Sequence, residues 1–479
     1  MSELPSKPAV EETGAGLVSE AAAGSPASAR GSVRGVATRV FSSLRYRDYR
    51  LFFIGQFMST MGTWIQQPVM QWLVWEWTKS PFMLGVLTAV GSLPILLISP
   101  LGGLTAERFE KRGILLVTQP LLFIAPVTLA VLLLINPEAK EVWLLFAVAA
   151  FSGTIMAFDV PARQSFVVDL VGRADVPNAI ALNSFIFNLS RMIGPIVSGA
   201  LLLWLGSAAC FATNGFSYLA LVVCLLMMSG RRREMTVGVS ERNQKVHYPW
   251  GGFFYAWNQK DIRMTMILLA SATIFGWSIM SQLPAFTERV FLQERKAFVV
   301  FLTAFGAGAL VAALAMAYLG SHKNRRRLIL TGLIIFLTSV TAFLWSKYVW
   351  SDLLGNSAHQ AYQLALVPMF FAGLGLLMCM SGVNSHIQME VSHRFHGRVM
   401  GVYAMFFGGM MPLGSILTGY MAENLSRILV RLPGGSLVVD HLPAESSLVL
   451  AVQMNIAVLA VVTVWATVYW RRLHRRQAA

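Results

Sequence analysis

Long apolar stretches, separated by short polar gaps, dominate the chain from residue 51 onward. Each stretch approaches the roughly 20 residues that an α-helix needs to cross a bilayer. A helix satisfies its backbone hydrogen bonds within one segment, so apolar stretches of this length indicate membrane-spanning helices. The pattern predicts an all-α integral membrane protein with twelve spans, at residues 51–75, 81–104, 114–135, 141–158, 178–204, 208–228, 264–286, 297–319, 328–346, 363–383, 398–422 and 447–470.

The polar gaps alternate in positive charge. Most of the 38 lysine and arginine residues lie at the two ends of the chain and in every second gap, with Arg45, Arg47 and Arg50 just before the first span. Gaps that are rich in lysine and arginine stay on the cytoplasmic side of a membrane. We therefore predict a multi-pass protein of the plasma (inner) membrane, surrounded by the lipid bilayer, with both termini in the cytoplasm.

Composition supports a membrane protein and excludes other classes. Apolar residues make up 56% of the chain and charged residues 13%, and the mean hydropathy is +0.60. The net charge of +15 clusters beside apolar stretches rather than along an aromatic-interleaved stripe, so we expect no nucleic acid partner. The three cysteines lie in apolar stretches without a CxxC spacing, and Glu390, His393 and His396 belong to a polar gap. We expect neither a metal nor a cofactor.

The longest interior polar segment divides the spans six and six. Residues 194–199 (GPIVSG) are repeated at residues 414–419 (GSILTG), and two weaker repeats have nearly the same offset. Repetition of this kind indicates two related halves. We predict a disordered cytoplasmic tail, a six-helix bundle, a cytoplasmic linker, a second six-helix bundle and a basic cytoplasmic tail, at residues 1–44, 45–228, 229–262, 263–470 and 471–479. Two such bundles with a polar site between them are typical of secondary transporters.

The polar gap after the second span resembles the signature loop of the major facilitator superfamily. Residues 103–112 read GLTAERFEKR, where the family has Gly-x-x-x-Asp-Arg-x-Gly-Arg/Lys-Arg/Lys. Glu107 replaces the aspartate and keeps its charge, whereas Glu110 replaces the second glycine. The resemblance covers residues 45–475 and implies the major facilitator fold, with twelve transmembrane helices in two pseudo-symmetric six-helix bundles.

The same resemblance implies a gate formed by Gly103, Glu107 and Arg108. In this interpretation Glu107 meets the start of the eleventh span near residues 398–401, while Arg108 reaches Asp159 at the end of the fourth. An arginine pairs strongly with a carboxylate, and a carboxylate is favoured at a helix N-terminus. The alternative is a basic loop that only fixes the orientation of the chain.

Four further segments resemble the exporter branch of the superfamily that includes the enterobactin exporter and related siderophore and drug efflux proteins. Two of them are residues 46–52 (YRDYRLF) and residues 178–183 (NAIALN). The other two, residues 158–164 (FDVPARQ) and 191–199 (RMIGPIVSG), contain the residues for which the resemblance implies a gating role. These gating candidates are Asp159, Arg163, Gly194, Pro195 and Gly199. The last three belong to an element that is similar to the antiporter motif.

Arg191 is the one basic residue that lies inside an apolar stretch. An arginine at the centre of a span costs about 2.5–3.5 kcal/mol on translocon scales, so it should face water or a partner. Helical spacing places Asn183, Phe187 and Arg191 on one face, with Asn188 adjacent. We predict that this face lines a central cavity, where Arg191 either binds an anionic cargo or holds a gate.

A second polar face follows the first span, where Thr60, Trp64, Gln67 and Gln71 recur at helical spacing. Amides and indoles hold an amphipathic molecule by hydrogen bonds and stacking, so we predict that these residues also line the cavity. The alternative is that the glutamines bond to one another between packed helices.

The source of energy is predicted from residue types. The chain lacks the Gly-x-x-x-x-Gly-Lys-Ser/Thr loop of ATP-driven motors, so we expect a secondary transporter rather than an ATP-driven one. We expect no enzyme, because the chain has neither a His-x-x-x-x-Asp pair nor a Gly-x-Ser-x-Gly elbow. Proton coupling requires a carboxylate that changes charge, and Glu76 and Asp159 are the candidates. The expected function is export of an amphipathic small molecule, a siderophore or drug-like compound, by proton antiport with alternating access, the protein acting as a monomer. An importer or lipid transporter of the same fold and, less favoured, a polytopic membrane enzyme are the alternatives.

Overall fold

The computed structural model describes residues 42–136, 140–172, 175–229, 251–319, 325–349, 358–391, 396–429 and 443–478. Within these ranges every regular element is helical, as predicted. The first half begins with a 3₁₀ turn at Ser42–Arg45. Six long helices follow it: α1 (Arg47–Thr78), α2 (Pro81–Arg108), α3 (Lys111–Ile135), α4 (Val142–Asp169), α5 (Val176–Trp204) and α6 (Gly206–Leu226).

The second half begins with a short helix and an interrupted span. Its helices are α7 (Gly251–Asn258), α8 (Lys260–Ser271), α9 (Ser278–Ala285), α10 (Arg295–Leu319), α11 (Arg325–Lys347), α12 (Ala358–Glu390), α13 (His396–Gly409), α14 (Met411–Leu429) and α15 (Ala444–Ala478). Two π-helical turns, Ala272–Gly276 and Phe286–Val290, join α8 to α9 and extend α9. Helix α7 lies within the predicted linker, and α15 continues through the residues predicted as the last tail.

Eleven helical segments in the described ranges are long and apolar enough to cross a membrane. Helix α1 is not among them, although it has 32 residues. Glutamines lower its hydropathy, at positions Gln56, Gln66, Gln67 and Gln71. Because α1 packs along α5 and α6, it completes the first six-helix bundle.

Several helices differ in extent from the predicted spans, among them the tenth, which is predicted at residues 363–383 and extends over Ala358–Glu390. The fourth span, predicted to end at residue 158, continues as helix to Asp169. The eleventh, predicted as one segment, breaks at Met410 into α13 and α14. Pro412 lies directly after this break, and proline has no N–H with which to continue the hydrogen bonds of a preceding helix.

The turn between α1 and α2 is fixed by local capping. Lys79 ends α1 in the left-handed conformation, with φ of 49°. Ser80 caps α2 because its hydroxyl accepts a hydrogen bond from the backbone N–H of Met83 at 3.2 Å. Pro81 then occupies the first helical position, where its missing N–H costs no hydrogen bond. The tight turn holds Lys79 and Ser80 at one end of the bundle.

Consecutive spans run in opposite directions, so their ends form two faces of the molecule. We call the face that holds Arg108 and Arg325 the basic end, and the face that holds Thr78 and Val290 the far end. Both halves contribute six long helical segments to the body between these faces, which gives the predicted arrangement of two related bundles.

Glycines at equivalent positions of the sequence repeat allow helices of the same half to pack closely against each other. A Cβ placed on Gly194 of α5 would lie 2.4 Å from Cβ of Trp64 on α1. The repeat-related Gly414 of α14 lies closer still to the first π turn, where a Cβ would be 1.8 Å from the carbonyl oxygen of Ile274. The repeat predicted from the sequence therefore recurs as the same helix packing in both halves.

A second pair of equivalent glycines joins the two halves. A Cβ on Gly199 of α5 would lie 2.4 Å from Cγ1 of Val299 on α10. A Cβ on Gly419 of α14 would lie 2.5 Å from the carbonyl oxygen of Pro81 on α2. Both contacts lie toward the far end, so the halves are closely packed there.

Candidate functional site

A cavity lies between the two halves, about midway between the basic end and the far end. Helices α1 and α5 form its wall on the first half. Helices α9, α10 and α12, with Trp277, form the wall on the second. The lining residues are Trp64, Gln67, Pro68, Gln71, Arg191, Met192, Pro195, Trp277, Met280, Leu302, Phe305, Gly306, Ala309, Gly373, Leu376, Leu377 and Met380.

The structure brings several of the predicted site residues together on this wall. Trp64, Gln67 and Gln71 follow one another along α1, at the three- and four-residue spacing of one helix face. Arg191 and Pro195 line the cavity from α5, also four residues apart. Their common location comes from the packing of α5 against α1.

The other predicted cavity residues lie nearby but do not line the cavity. Thr60 is half-buried on α1, one turn toward the basic end. Asn183 accepts a hydrogen bond from Nε2 of Gln56 at 2.7 Å and so ties α5 to α1. Phe187 meets the ring of Trp64 edge to face, with the centroids 5.8 Å apart. Phe187 therefore contacts the wall residue Trp64, whereas Asn183 joins the two helices beside the cavity.

Arg191 extends from the first half toward aromatic rings of the second half. Its Nη2 donates a hydrogen bond to Oδ1 of Asn188 at 3.1 Å. Its guanidinium carbon lies 5.9 Å from the ring centre of Trp277 and 5.6 Å from that of Phe407. Both distances are within the range of cation–π attraction. Arg191 forms no salt bridge with a carboxylate in the part of the chain that the structure describes.

The second-half wall was not predicted from the sequence. Apart from Trp277, it consists of aliphatic, methionine, glycine and phenylalanine residues, among them Met280, Phe305 and Met380. Such residues are ordinary members of an apolar span, so no local pattern distinguishes cavity-lining positions from packed ones. The first π turn, Ala272–Gly276, directly precedes Trp277 in this wall.

Asp159 lies inside the first half rather than at a gate surface. Its side chain is fully buried. Oδ1 accepts hydrogen bonds from Thr118 and from Nε2 of Gln119, both at 2.6 Å, and Oδ2 pairs with Arg163 one turn along α4. Arg163 also donates to the hydroxyl of Ser59 on α1 at 3.2 Å. A buried network thus connects α1, α3 and α4.

The predicted contact between Arg108 and Asp159 is not formed. Arg108 and Glu107 are exposed at the basic end and bond to no other described residue. Asp159 is unavailable to Arg108 because three donors within the bundle already enclose it. A Cβ on Gly103 would meet open space, whereas one on the neighbouring Gly102 would lie 2.0 Å from the carbonyl oxygen of Ala157. Gly102, which was not singled out from the sequence, is the packing glycine of this segment.

The expected partner of Glu107 lies near residues 398–401. The side chain of Arg398 lies outside the described residues, and a Cβ on Gly401 would find no atom within 4 Å. Neither Gly103 nor Gly401 is therefore a close-packing position against the described residues.

Polar contacts between the halves are concentrated at the far end. Oε2 of Glu288, in the second π turn, accepts hydrogen bonds from Nε1 of Trp75 at 2.8 Å and from Lys79 at 2.5 Å. Arg289 donates to the carbonyl oxygen of Lys79 at 2.6 Å and lies over the ring of Trp75. This group, which we call the far-end latch, joins α1 to the second half.

A second contact across the far end joins α2 to α14. Oε2 of Glu423 accepts hydrogen bonds from the hydroxyl of Ser80 at 2.6 Å and from the backbone N–H of Phe82 at 3.3 Å. Glu76, a predicted proton carrier, is exposed near this end and takes no part in these bonds. Between described residues, every hydrogen bond and ion pair that crosses from one half to the other lies at the far end.

A cluster of potential metal ligands lies at the basic end of the second half, formed by Asp261, His386 and Glu390. Arg326 donates to Oδ2 of Asp261 at 2.7 Å, and Nε2 of His386 lies 3.0 Å from the same oxygen. Because Asp261 already has a cationic partner, the cluster is best described as an ion-pair network that ties α8, α11 and α12 together. His393 lies outside the described residues, as does the side chain of His396.

The sequence of the chain is similar to those of known transporters. A family model described as a transmembrane secretion effector matches residues 38–462. The staphyloferrin A transporter of Staphylococcus aureus is 23% identical over 374 residues, which cover 78% of this chain and 89% of that protein. The multidrug efflux pump Tap of Mycolicibacterium fortuitum is 24% identical over 363 residues, covering 74% and 83% respectively.

Solved transporter structures share the fold at low sequence identity. The nucleoside transporter NupG matches with a TM-score of 0.63 and 10% identity, covering 88% of this chain and 99% of that one. A bacterial homologue of the human lysosomal transporter Spinster, in an inward-facing and occupied conformation, matches with a TM-score of 0.62 and 16% identity, covering 90% and 97%. These likenesses establish the arrangement of helices.

Proposed function

The chain belongs to the transmembrane secretion effector family of the major facilitator superfamily, and from this premise we propose that it exports an amphipathic small molecule. The observation that carries the proposal is a cavity between two related halves, with every hydrogen bond and ion pair that joins described residues of the two halves on one side of it. Such a cavity serves alternating access, in which one bundle rocks against the other around a fixed site.

The orientation of the chain decides which side of the cavity is closed. We assign the basic end to the cytoplasm because lysine and arginine concentrate in its loops. In that orientation the far-end latch closes the outer side, and the cavity is available to molecules that enter from the cytoplasm. This is the loading state that an exporter requires.

The cavity wall suits an amphipathic cargo. Trp64, Trp277 and Phe305 offer flat apolar surfaces, while Gln67 and Gln71 offer amide donors and acceptors. The names of the two relatives, a staphyloferrin A transporter and a multidrug efflux pump, support a siderophore or a drug-like compound as the class of cargo.

We assign proton antiport as the energy source of transport. We assign Asp159, rather than Glu76, as the residue that binds and releases the proton. The carboxylate of Asp159 is enclosed by Arg163, Thr118 and Gln119, so its protonation would release a buried arginine and alter the packing of α4 against α1. Glu76 is exposed and forms no hydrogen bond or ion pair with another described residue. A switch needs a charge whose loss has structural consequences.

Everted membrane vesicles with an acid interior test the proposal. Their outer surface is the cytoplasmic one, so an exporter that exchanges protons should drive N-phenyl-1-naphthylamine, a neutral fluorescent amphiphile, into the interior. The retained dye is measured after filtration and extraction, with vesicles that lack the protein as the control. Accumulation that persists unchanged with a protonophore would exclude proton antiport. Loss of dye from the vesicles under the same gradient would favour import.

A further inference from the structure

The charges of the cavity wall are unbalanced. Among the described residues that line the cavity, Arg191 is the one with an ionisable side chain, and the rest are amides, prolines, glycines, aliphatic residues and aromatic residues. No salt bridge neutralises Arg191 within the described part of the chain. A lone cation near the middle of a membrane is costly, so a counter-ion that enters the cavity would be strongly attracted.

The hydrogen-bonding capacity of Arg191 is also largely unused. A guanidinium group has five N–H donors in a rigid fork, and among the described residues the guanidinium of Arg191 donates one hydrogen bond, to Asn188. Carboxylate, sulfonate and phosphate groups match the fork because they accept two parallel hydrogen bonds. The remaining donors of Arg191 therefore form a ready site for an oxyanion.

Aromatic side chains hold the guanidinium in place without neutralising it. Trp277 and Phe407 of the second half flank it at cation–π distances, and Asn188 supports it from its own helix. Cation–π attraction orients an arginine while leaving its net charge unchanged. Trp64, which lies with Arg191 on the first-half wall, extends the apolar surface next to the charge.

We propose that the cavity selects amphipathic anions, with Arg191 binding an oxyanion group while the aromatic residues bind an apolar, ring-bearing body. This inference rests on the proposed export function and narrows its cargo class. Cationic amphiphiles of the same size should be disfavoured, because the single charge of the described wall repels them.

Two fluorescent probes that differ by one charged group test the proposal. 1-Anilinonaphthalene-8-sulfonate and N-phenyl-1-naphthylamine share a ring skeleton, but only the first carries a sulfonate. Their binding is measured on the full chain in lipid nanodiscs, with empty nanodiscs subtracted. The wild-type protein should bind the sulfonate more tightly. Arg191→Gln should raise the Kd for the sulfonate at least about tenfold and change that for the neutral probe less than about twofold, because a hydrogen-bonded charge pair is lost.

Matched variants separate recognition from packing. Arg191→Lys keeps the charge but loses the fork, so its affinity for the sulfonate should fall between those of the wild type and Arg191→Gln. Trp277→Phe keeps a ring beside the guanidinium and should preserve the preference for the anion. If Arg191→Gln fails to fold, the proposal is still tested by two measurements: the preference of the wild type for the sulfonate over the neutral probe, and the affinity of Arg191→Lys for the sulfonate.

The outcomes that overturn the proposal are distinct from failure of the export function. Equal wild-type affinity for the two probes, or equal weakening of both by Arg191→Gln, would make Arg191 a packing or gating residue while leaving export intact. Absence of driven transport for both probes in everted vesicles would instead contradict the export function itself.

Discussion

Asp159 shows how one buried carboxylate connects several helices. Two neutral donors on α3 bind one of its oxygens, and Arg163 on its own helix binds the other. Arg163 then reaches Ser59 on α1, the helix that carries Trp64 and the two wall glutamines. Removing one partner from a buried ion pair costs about 3–5 kcal/mol, so the charge of Asp159 is coupled to the packing of the cavity wall.

Asp159→Asn should abolish proton-driven accumulation because the amide no longer binds and releases a proton. The amide oxygen still accepts hydrogen bonds, so the helix packing is partly kept and exchange of dye without a proton gradient should continue. Glu76→Gln, at an exposed site, is the matched control and should transport like the wild type. Both rates are measured in everted vesicles with and without the gradient. If Glu76→Gln alone loses proton-driven transport, Glu76 rather than Asp159 is the residue that carries the proton.

At the scale of elements, the interrupted seventh span is the least regular part of the structure and carries much of the function. Its first π turn precedes Trp277 on the cavity wall, and its second contains Glu288 and Arg289 of the far-end latch. A π turn inserts an extra residue into a helix and is frequent at functional sites. The latch thus depends on a helix whose geometry differs locally from the regular α form.

Glu288→Gln should loosen the far end. The substitution removes the ion pair between Glu288 and Lys79. The side chain of Lys79 is 50% exposed and that of Glu288 is 39% exposed. A pair with this exposure contributes about 1 kcal/mol or less, which corresponds to at most about a fivefold change in population. A cysteine introduced at Gln71, on the cavity wall, should therefore react up to about fivefold faster with an impermeant maleimide added from the far side.

The matched control for this measurement is Glu141→Gln. Glu141 also lies at the far end, but it accepts its hydrogen bond from Trp143 in its own half, at 2.6 Å. Its substitution should leave the labelling rate of the Gln71 cysteine unchanged. Equal rates in Glu288→Gln and the wild type would show that the latch does not hold the far end closed.

The boundaries of helices were harder to predict than their existence. Hydrophobic length alone placed the spans, but it ended the fourth too early because Asp159 and Arg163 look polar in sequence. In the structure their mutual pairing satisfies both charges inside the bundle, so the helix continues to Asp169. The π turns of the seventh span left no sequence pattern, because they result from packing rather than from composition.

At the scale of the whole molecule, the two halves are related in packing but unequal in chemistry. The first-half wall contained Trp64, Gln67, Gln71 and Arg191, whose polarity made them recognisable in an apolar sequence. Apart from the indole of Trp277, the described residues of the second-half wall carry no polar side chain, so sequence patterns could not identify this wall. The second-half wall can be recognised only in the folded structure, where helix packing places both walls around one cavity.

The repeated glycines divide into two roles that the sequence does not distinguish. Gly194 and Gly414 bring helices together within a half, whereas Gly199 and Gly419 bring the halves together toward the far end. Contacts within a half persist during rigid-body rocking, but contacts between halves form and break. A side chain added at Gly199 should therefore affect one conformation of the transporter far more than the other.

Gly199→Ala should shift the protein toward a far-end-open state. The new methyl group would lie 2.4 Å from Cγ1 of Val299 when the far end is closed, and overpacking of this kind costs about 1–3 kcal/mol. Because the contact joins different halves, that cost falls mainly on the closed state and favours opening roughly fivefold or more. Pulsed EPR between spin labels at Asn136 and His359, both exposed at the far end, should show a longer distance. Val299→Ala removes the opposing methyl groups and should restore the shorter distance in the double variant; a distance that stays long there would place the effect of Gly199→Ala within α5 instead.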